Sequence, residues 1–127
     1  MIITSTDNAK LVACKKLADK KYRRTTGAYL VEGERLVADA IRHGAVVTEI
    51  FVKQSVADKF TQTYPQADVV ADKAFAAISD TVNSQGIVAV CAYRPDGDLV
   101  APTGNCLVLD NVQDPGNAGT LIRTAAA

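Results

Sequence analysis

The sequence predicts a small α/β sandwich with a mostly parallel sheet, on three observations. Segments of strand and helix character alternate from Tyr29 to Tyr93. Within that span "GIVAVCAY", Gly86–Tyr93, is a nearly continuous apolar run, as a strand buried on both faces requires. The chain has 127 residues, 48% hydrophobic and 22% charged, enough for a domain with a real core.

The elements follow in order. Ser5 or Thr6 is placed to cap a first helix, with Asp7 in its first turn. Leu11, Cys14, Leu17 and Ala18 recur at helical spacing and leave the lysines on the other side. "KKYRRTTGA" breaks that pattern and reads as a loop. "YLV", Tyr29–Val31, is a short strand running into "GERLVADAIRHG", a helix. Its stripe is Leu36, Val37, Ala40 and Ile41, and Gly44 stops it where a left-handed residue is needed. "VVTEIFV", Val46–Val52, is a strand. Ser55 opens a helix with Asp58 three residues on, and Pro65 closes it. Asp68–Val70 is strand-like, and Asp72 caps a short helix through Ile78. Residues 95–105, with their Pro and Gly, read as a linker between a domain of residues 1–94 and a second α/β unit. That unit begins with the apolar strand "CLVLD", Cys106–Asp110.

Composition excludes some classes of function. No apolar run approaches the ~20 residues of a membrane span, and the N-terminus has no secretory character. Cys14, Cys91 and Cys106 are odd in number and lack metal-ligand spacing, so they read as reduced, mostly buried thiols of a cytoplasmic protein. Charge is uneven although the net is zero. Residues 1–45 hold nine Lys/Arg against five Asp/Glu, and residues 46–127 hold five against nine. The basic excess lies in "KLVACKKLADKKYRR", with Lys15, Lys16, Lys20, Lys21, Arg23 and Arg24 around Tyr22. Such a block either grips a phosphate backbone or is a solvated helix face.

The last residues, "DNVQDPGNAGTLIRTAAA", follow an apolar strand with a Pro/Gly/Asn loop and a helix. Ligands collect beyond the carboxyl ends of strands in α/β folds, and helix starts attract anions. Gly116 and Gly119 permit close approach, Asn117 offers donors and acceptors, and Arg123 leans back toward the loop. This is neither a Walker loop nor a dinucleotide fingerprint. Spacing leaves two readings open. One is a site for a polar or anionic group with an arginine. The other is a structural turn whose Arg123 pairs with Asp110 or Asp114.

"DNVQDPGNAGTLIRTA" resembles the first motif of the SpoU (TrmH-type) branch of the SPOUT RNA methyltransferases. Asn111, Asp114, Pro115, Gly116, Asn117, Gly119, Arg123, Thr124 and Ala125 match its pattern. "YLVEGERLVADAI" and "SQGIVAV" resemble the family's accessory domain. The resemblance implies that residues 1–94 are an RNA substrate-binding domain, similar in fold to the kink-turn-binding ribosomal proteins. Residues 106–127 would be the first strand and helix of a knotted α/β methyltransferase domain. It implies methyl transfer from S-adenosylmethionine to a ribose 2′-hydroxyl of rRNA or tRNA by a homodimer, with Asn117 and Arg123 as catalytic residues. Lys15, Lys16, Lys20, Lys21, Tyr22, Arg23 and Arg24 become the expected RNA-binding set, Tyr22 for stacking and the cations for phosphate.

The family's two further motifs, which build the cofactor pocket, are not among these residues. The chain is therefore expected to be a fragment that neither binds S-adenosylmethionine nor methylates RNA alone. The alternative readings are a non-catalytic RNA-binding module of the same accessory fold and an unrelated small-molecule enzyme. His43 is expected to satisfy helix-end carbonyls, and Glu32 and Glu34 to serve the strand-to-helix turn. Leu107, Leu109, Leu121 and Ile122 are expected to be covered by the first domain or by a second copy.

Overall fold

The run Gly86–Tyr93 becomes a strand, β5 (Ile87–Ala92), buried from Ile87 to Cys91, and it organises the sheet. In the computed structural model, which describes residues 1–94 and 100–127, the chain divides into two compact units, Met1–Pro95 and Asp96–Ala127. The first unit holds a five-stranded sheet built from β1 (Ile2–Ile3), β2 (Ala28–Glu32), β3 (Val46–Lys53), β4 (Asp68–Val70) and β5, in the order β1-β4-β3-β5-β2.

The sheet is mixed, which corrects the expectation of a mostly parallel one. β1 and β3 pair with β4 in parallel, whereas β2 and β3 both pair with β5 antiparallel. A helical crossover sets β2 and β3 in the same direction, but β5 inserts between them and runs the other way. Burial on both faces demands a continuous apolar run whichever way a strand points. The run therefore carried no information on direction.

Alternation along β5 divides the core into two layers. Val88 and Val90 join Leu11, Cys14, Leu17, Phe51, Val70 and Phe75 on one face. Ile87, Ala89 and Cys91 join Val37, Ile50, Val52 and Phe60 on the other. Helices cover both, as an αβα sandwich requires. On the first face lie α1 (Ala9–Lys16), α2 (Lys20–Thr26) and α5 (Asp72–Phe75); on the second lie α3 (Glu34–Arg42) and α4 (Ala57–Thr61).

Several local expectations are corrected. Asn8, not Ser5 or Thr6, caps α1, its side chain accepting from Lys10 N at 3.0 Å. Ser5 Oγ instead accepts from Asp7 N in the preceding turn. Leu11, Cys14 and Leu17 are buried as expected, but Ala18 is exposed. The expected loop at Lys20–Thr26 is helical. Asp19 caps it through Lys21 N, and Gly27 closes it in the left-handed conformation at φ 66°. In α3 only Val37 is fully buried; Leu36 and Ile41 remain 51% and 40% exposed. Gly44 does end that segment at φ 77°. Ser55 does not open a helix but lies inside a short 3-10 turn (Gln54–Val56) ahead of α4, and its N–H donates to Asp72 Oδ1 at 3.0 Å. Asp72 thus ties two segments together as the first residue of α5, while Ala71 takes the cap position.

Glu32 anchors the segment before β5. Its carboxylate accepts from Ser79 Oγ at 2.5 Å, Thr81 Oγ1 at 3.0 Å and Asp80 N at 3.0 Å. Partial burial pushes this carboxyl up, but the hydrogen bonds from Ser79, Asp80, Thr81 and Ser84 outweigh it and hold it below its ordinary value of 4.5. The folded value is the depressed one, so this stabilisation is full above that ordinary value. It is lost as the pH falls through the folded value. Glu32→Gln is expected to lower stability at neutral pH and to flatten its loss as the pH falls below the ordinary value of 4.5. Urea midpoints across that range check this; parallel curves for both proteins would remove Glu32 from the account.

In the second unit, residues 106–110 form no strand. An apolar alternation becomes a strand only when a neighbour satisfies its N–H and C=O groups, and among the described residues no strand pairs with it. Helix α6 (Pro115–Ala126) starts earlier than Gly119, with Asp114 as cap accepting from Gly116 N at 2.8 Å and Pro115 in the first turn. Asp-Pro-Gly-Asn is thus a helix start and not a loop. Leu107, Leu109, Leu121 and Ile122 are all exposed in the single chain, so the cover expected for them is not present there.

Candidate RNA interface and terminal motif

The basic block wraps the junction of α1 and α2. Lys15 and Lys16 occupy the last turn of α1, and Lys20 and Lys21 the first turn of α2. These four and Arg24 are exposed. Arg23 is engaged: its Nη1 donates to Leu17 O and Ala18 O, both at 2.9 Å, and so holds α2 against the end of α1. Tyr22 is half-buried against the first core layer, with Lys16 Nζ 5.8 Å from its ring centroid. The structure therefore gathers five exposed cations, none in an ion pair among the described residues, and an aromatic on one two-helix element, and gives Arg23 a bracing role. Lys10, the first residue of this block, is committed to ion pairs. Its Nζ meets Asp68 at 2.7 Å and Glu49 at 3.2 Å, and the Asp68 hydrogen bond, then that of Glu49, hold the ammonium above its ordinary value.

Beside this element lies an open groove of about 350 Å³, lined by Ala13, Leu17, Tyr22, Ala28, Phe51 and Val90, with Lys10 and Glu49 at its polar edge. Sequence reading missed it. Its walls come from two helices and three strands, and only packing brings them together. The nearby Cys14 thiol is pushed up to about 12, chiefly by burial, and stays protonated and inert. Cys14 and Cys91 are buried and Cys106 is exposed; all three are free. Among the described residues no group of His, Cys, Asp and Glu is placed to hold a metal, and no helix is long and apolar enough to cross a membrane.

His43 lies at the end of α3 and Glu34 in its first turn, as expected, whereas Glu32, expected at the same turn, binds Ser79, Asp80 and Thr81. His43 Nδ1 lies 2.8 Å from Asp39 O, a carbonyl near the end of α3, and Glu34 pairs with Lys59 at 2.5 Å.

In the terminal motif, Asn111 sits at φ 54°, a left-handed position that asparagine tolerates. Asn117 joins Asn111, Val112 and Gln113 around a shallow concavity. Arg123 is exposed and lies outside it; the ion pairs among the described residues include neither Asp110 nor Asp114 as its partner. Six residues separate Asn117 from Arg123, about 9 Å along a helix and roughly a third of a turn around it. The motif therefore displays two polar groups on different faces of one helix. It does not close a pocket, and the residues present do not by themselves fit a cofactor as large as S-adenosylmethionine.

Comparison with known proteins defines the class. Residues 8–89 match the MRM3-like substrate binding domain. The chain is 41% identical over 126 residues to the 23S rRNA (guanosine(2553)-2'-O)-methyltransferase RlmP of Bacillus subtilis (strain 168), covering 98% of this chain and 50% of that protein. A putative RNA methyltransferase of the TrmH family from Porphyromonas gingivalis superposes with a TM-score of 0.72 at 30% identity, over 93% of this chain and 47% of that one. An AdoMet-bound rRNA methyltransferase from Sinorhizobium meliloti does so with a TM-score of 0.58 at 26% identity, over 74% and 37%. The chain belongs to the SpoU (TrmH-type) family of RNA 2′-O-ribose methyltransferases, through an MRM3-like substrate-binding domain. It spans about half the length of the first curated relatives it matches.

Proposed function

We propose that this chain supplies the RNA-binding domain, residues 1–94, a linker, residues 95–105, and the first catalytic segment, residues 106–127, of an RNA 2′-O-methyltransferase. The enzyme would use S-adenosylmethionine, act on rRNA or tRNA in the cytoplasm, and work as a homodimer. Residues 95–99 of the linker lie outside the described residues. The observation that carries the reading is the match of nine motif residues between Asn111 and Ala125, on a chain whose residues 8–89 match a substrate-binding domain.

The chemistry suits the residues. S-adenosylmethionine supplies an electrophilic methyl group, and the protein's task is to align a ribose oxygen with it. A guanidinium hardly deprotonates, so Arg123 acts by holding an RNA phosphate and stabilising negative charge as it develops on that oxygen. Asn117, with both donor and acceptor, orients the hydroxyl. Lys15, Lys16, Lys20, Lys21 and Arg24 hold the RNA backbone, with Tyr22 beside them and Arg23 bracing the two helices.

RNA binding by the chain is expected to be weak and to fade as salt rises. Replacing Lys20, Lys21 and Arg24 together with Ala should lower the steepness of log Kd against log salt by about 0.7–0.9 for each phosphate no longer neutralised. Arg23 is left in place because its removal would loosen α2. Anisotropy titrations over a salt series measure this, and an unchanged slope and affinity would move the RNA surface elsewhere.

A further inference from the structure

We propose that the groove beside Tyr22 takes up a single unpaired nucleobase of the bound RNA, while the neighbouring phosphates rest on the cations of α1 and α2. The inference rests on the RNA-binding reading above and adds to it a site, an occupant and a preference for unpaired nucleotides.

Three features of the groove select that occupant. The first is its shape and surface. Its walls are apolar, and at Ala13 and Ala28 the side chains stop at Cβ, which leaves about 350 Å³ open to the outside. The second is its polar edge. There Lys10 Nζ pairs with Asp68 and with Glu49 Oε2, which leaves Glu49 Oε1 as a carboxylate acceptor without a partner among the described residues, whereas the rest of the lining is largely apolar. A nucleobase has apolar π-faces and a rim of donors and acceptors, and carboxylates accept from exocyclic amino groups. The third is charge. The helices that wall the groove carry Lys15, Lys16, Lys20, Lys21 and Arg24, all exposed. The sole acid from Lys10 to Gly27 is Asp19, whose carboxylate is taken up in capping α2. An apolar slot next to a polycationic surface fits a base whose own backbone is polyanionic better than it fits an apolar peptide or a second copy of this net-neutral chain. Lys16, above the Tyr22 ring, links the two parts, since its ammonium can meet the phosphate of a nucleotide whose base lies along that ring.

The test uses the 127-residue chain and two hairpin RNAs of the same stem, one with a single bulged nucleotide and one without. The bulged hairpin is expected to bind about tenfold more tightly, within the range that stacking one base contributes. Ala13→Phe places a ring in the groove from an exposed helical position. It should erase that preference while leaving affinity for the unbulged hairpin and the salt dependence as they were. A third reading needs no variant. 2-Aminopurine at the bulge should change its emission on binding the unaltered protein, through stacking on the Tyr22 ring. Equal binding of both hairpins, a preference that survives Ala13→Phe in a folded protein, or unchanged 2-aminopurine emission would overturn the groove assignment while leaving RNA binding standing. Failure to bind either hairpin at low salt would overturn both readings. If Ala13→Phe instead abolishes self-association seen by sedimentation, with RNA binding untouched, the groove belongs to a second copy and the proposal falls.

Discussion

Arg123→Ala, in an enzyme built on this chain at the length of its relatives, is expected to cut kcat by about a hundredfold or more and to leave RNA affinity nearly unchanged. The side chain is exposed on α6 and makes no ion pair among the described residues, so its loss should cost little in folding. A group that acts mainly on charge developing in the transition state lowers kcat and kcat/KM together. Lysine keeps the charge but not the planar fork of donors, so Arg123→Lys should recover only part of the rate. Single-turnover methyl transfer and RNA anisotropy, measured side by side, separate chemistry from docking. Weaker binding with normal turnover would make Arg123 a residue that positions RNA and no more.

Phe60→Ala is expected to destabilise the first unit by about 3–5 kcal/mol, the usual cost of removing a buried ring and leaving a cavity. Phe60 is 2% exposed and fills the layer between α4 and the sheet, against Val37, Ile50, Val52, Ile87 and Ala89. Domains of this size are stable by about 5–15 kcal/mol, so the variant should fall to a small remaining margin. The ring lies on the face opposite α1 and α2, so the folded fraction should keep its RNA salt slope. Urea unfolding gives the first quantity, with a shifted midpoint and an unchanged m value. A loss under about 1 kcal/mol would mean that this layer repacks around the hole.

What could be read from the sequence was what a single segment encodes. The strands at Tyr29, Val46, Asp68 and Gly86 and the stop at Gly44 each rest on a local pattern, and each was legible. Helix α2 was missed although both its signals were present. Asp19 and Gly27 mark its ends, but Lys20–Thr26 carries no apolar stripe, since Tyr22 alone meets the core. Strand direction is settled by β5 lying between β2 and β3, a matter of partners about 35 to 64 residues apart. Residues 106–110 have a strand's composition, but a strand is a relation between segments and no neighbour is there to complete it. At the candidate sites the residue types were legible and their duties were not. Nothing in "KKYRR" tells Arg23, bonded to two carbonyls, from Arg24, which is exposed. Nor does any run of residues announce a groove whose walls come from Ala13, Ala28, Phe51 and Val90.

An interior strand of the sheet, β5, is also the last strand among the described residues, and this sets a clock on the ribosome. Among the described residues β2 has no neighbour but β5. At about 5–20 residues per second, the 54 residues between Glu32 and Ile87 take roughly 3–11 s to synthesise. Through that interval α1 and α3 have an incomplete wall to pack on, and β2 presents ladder groups on both edges. A ribosome that pauses before Ile87 holds a sticky, half-sided nascent chain. A few codons later the same chain can close both layers in one step.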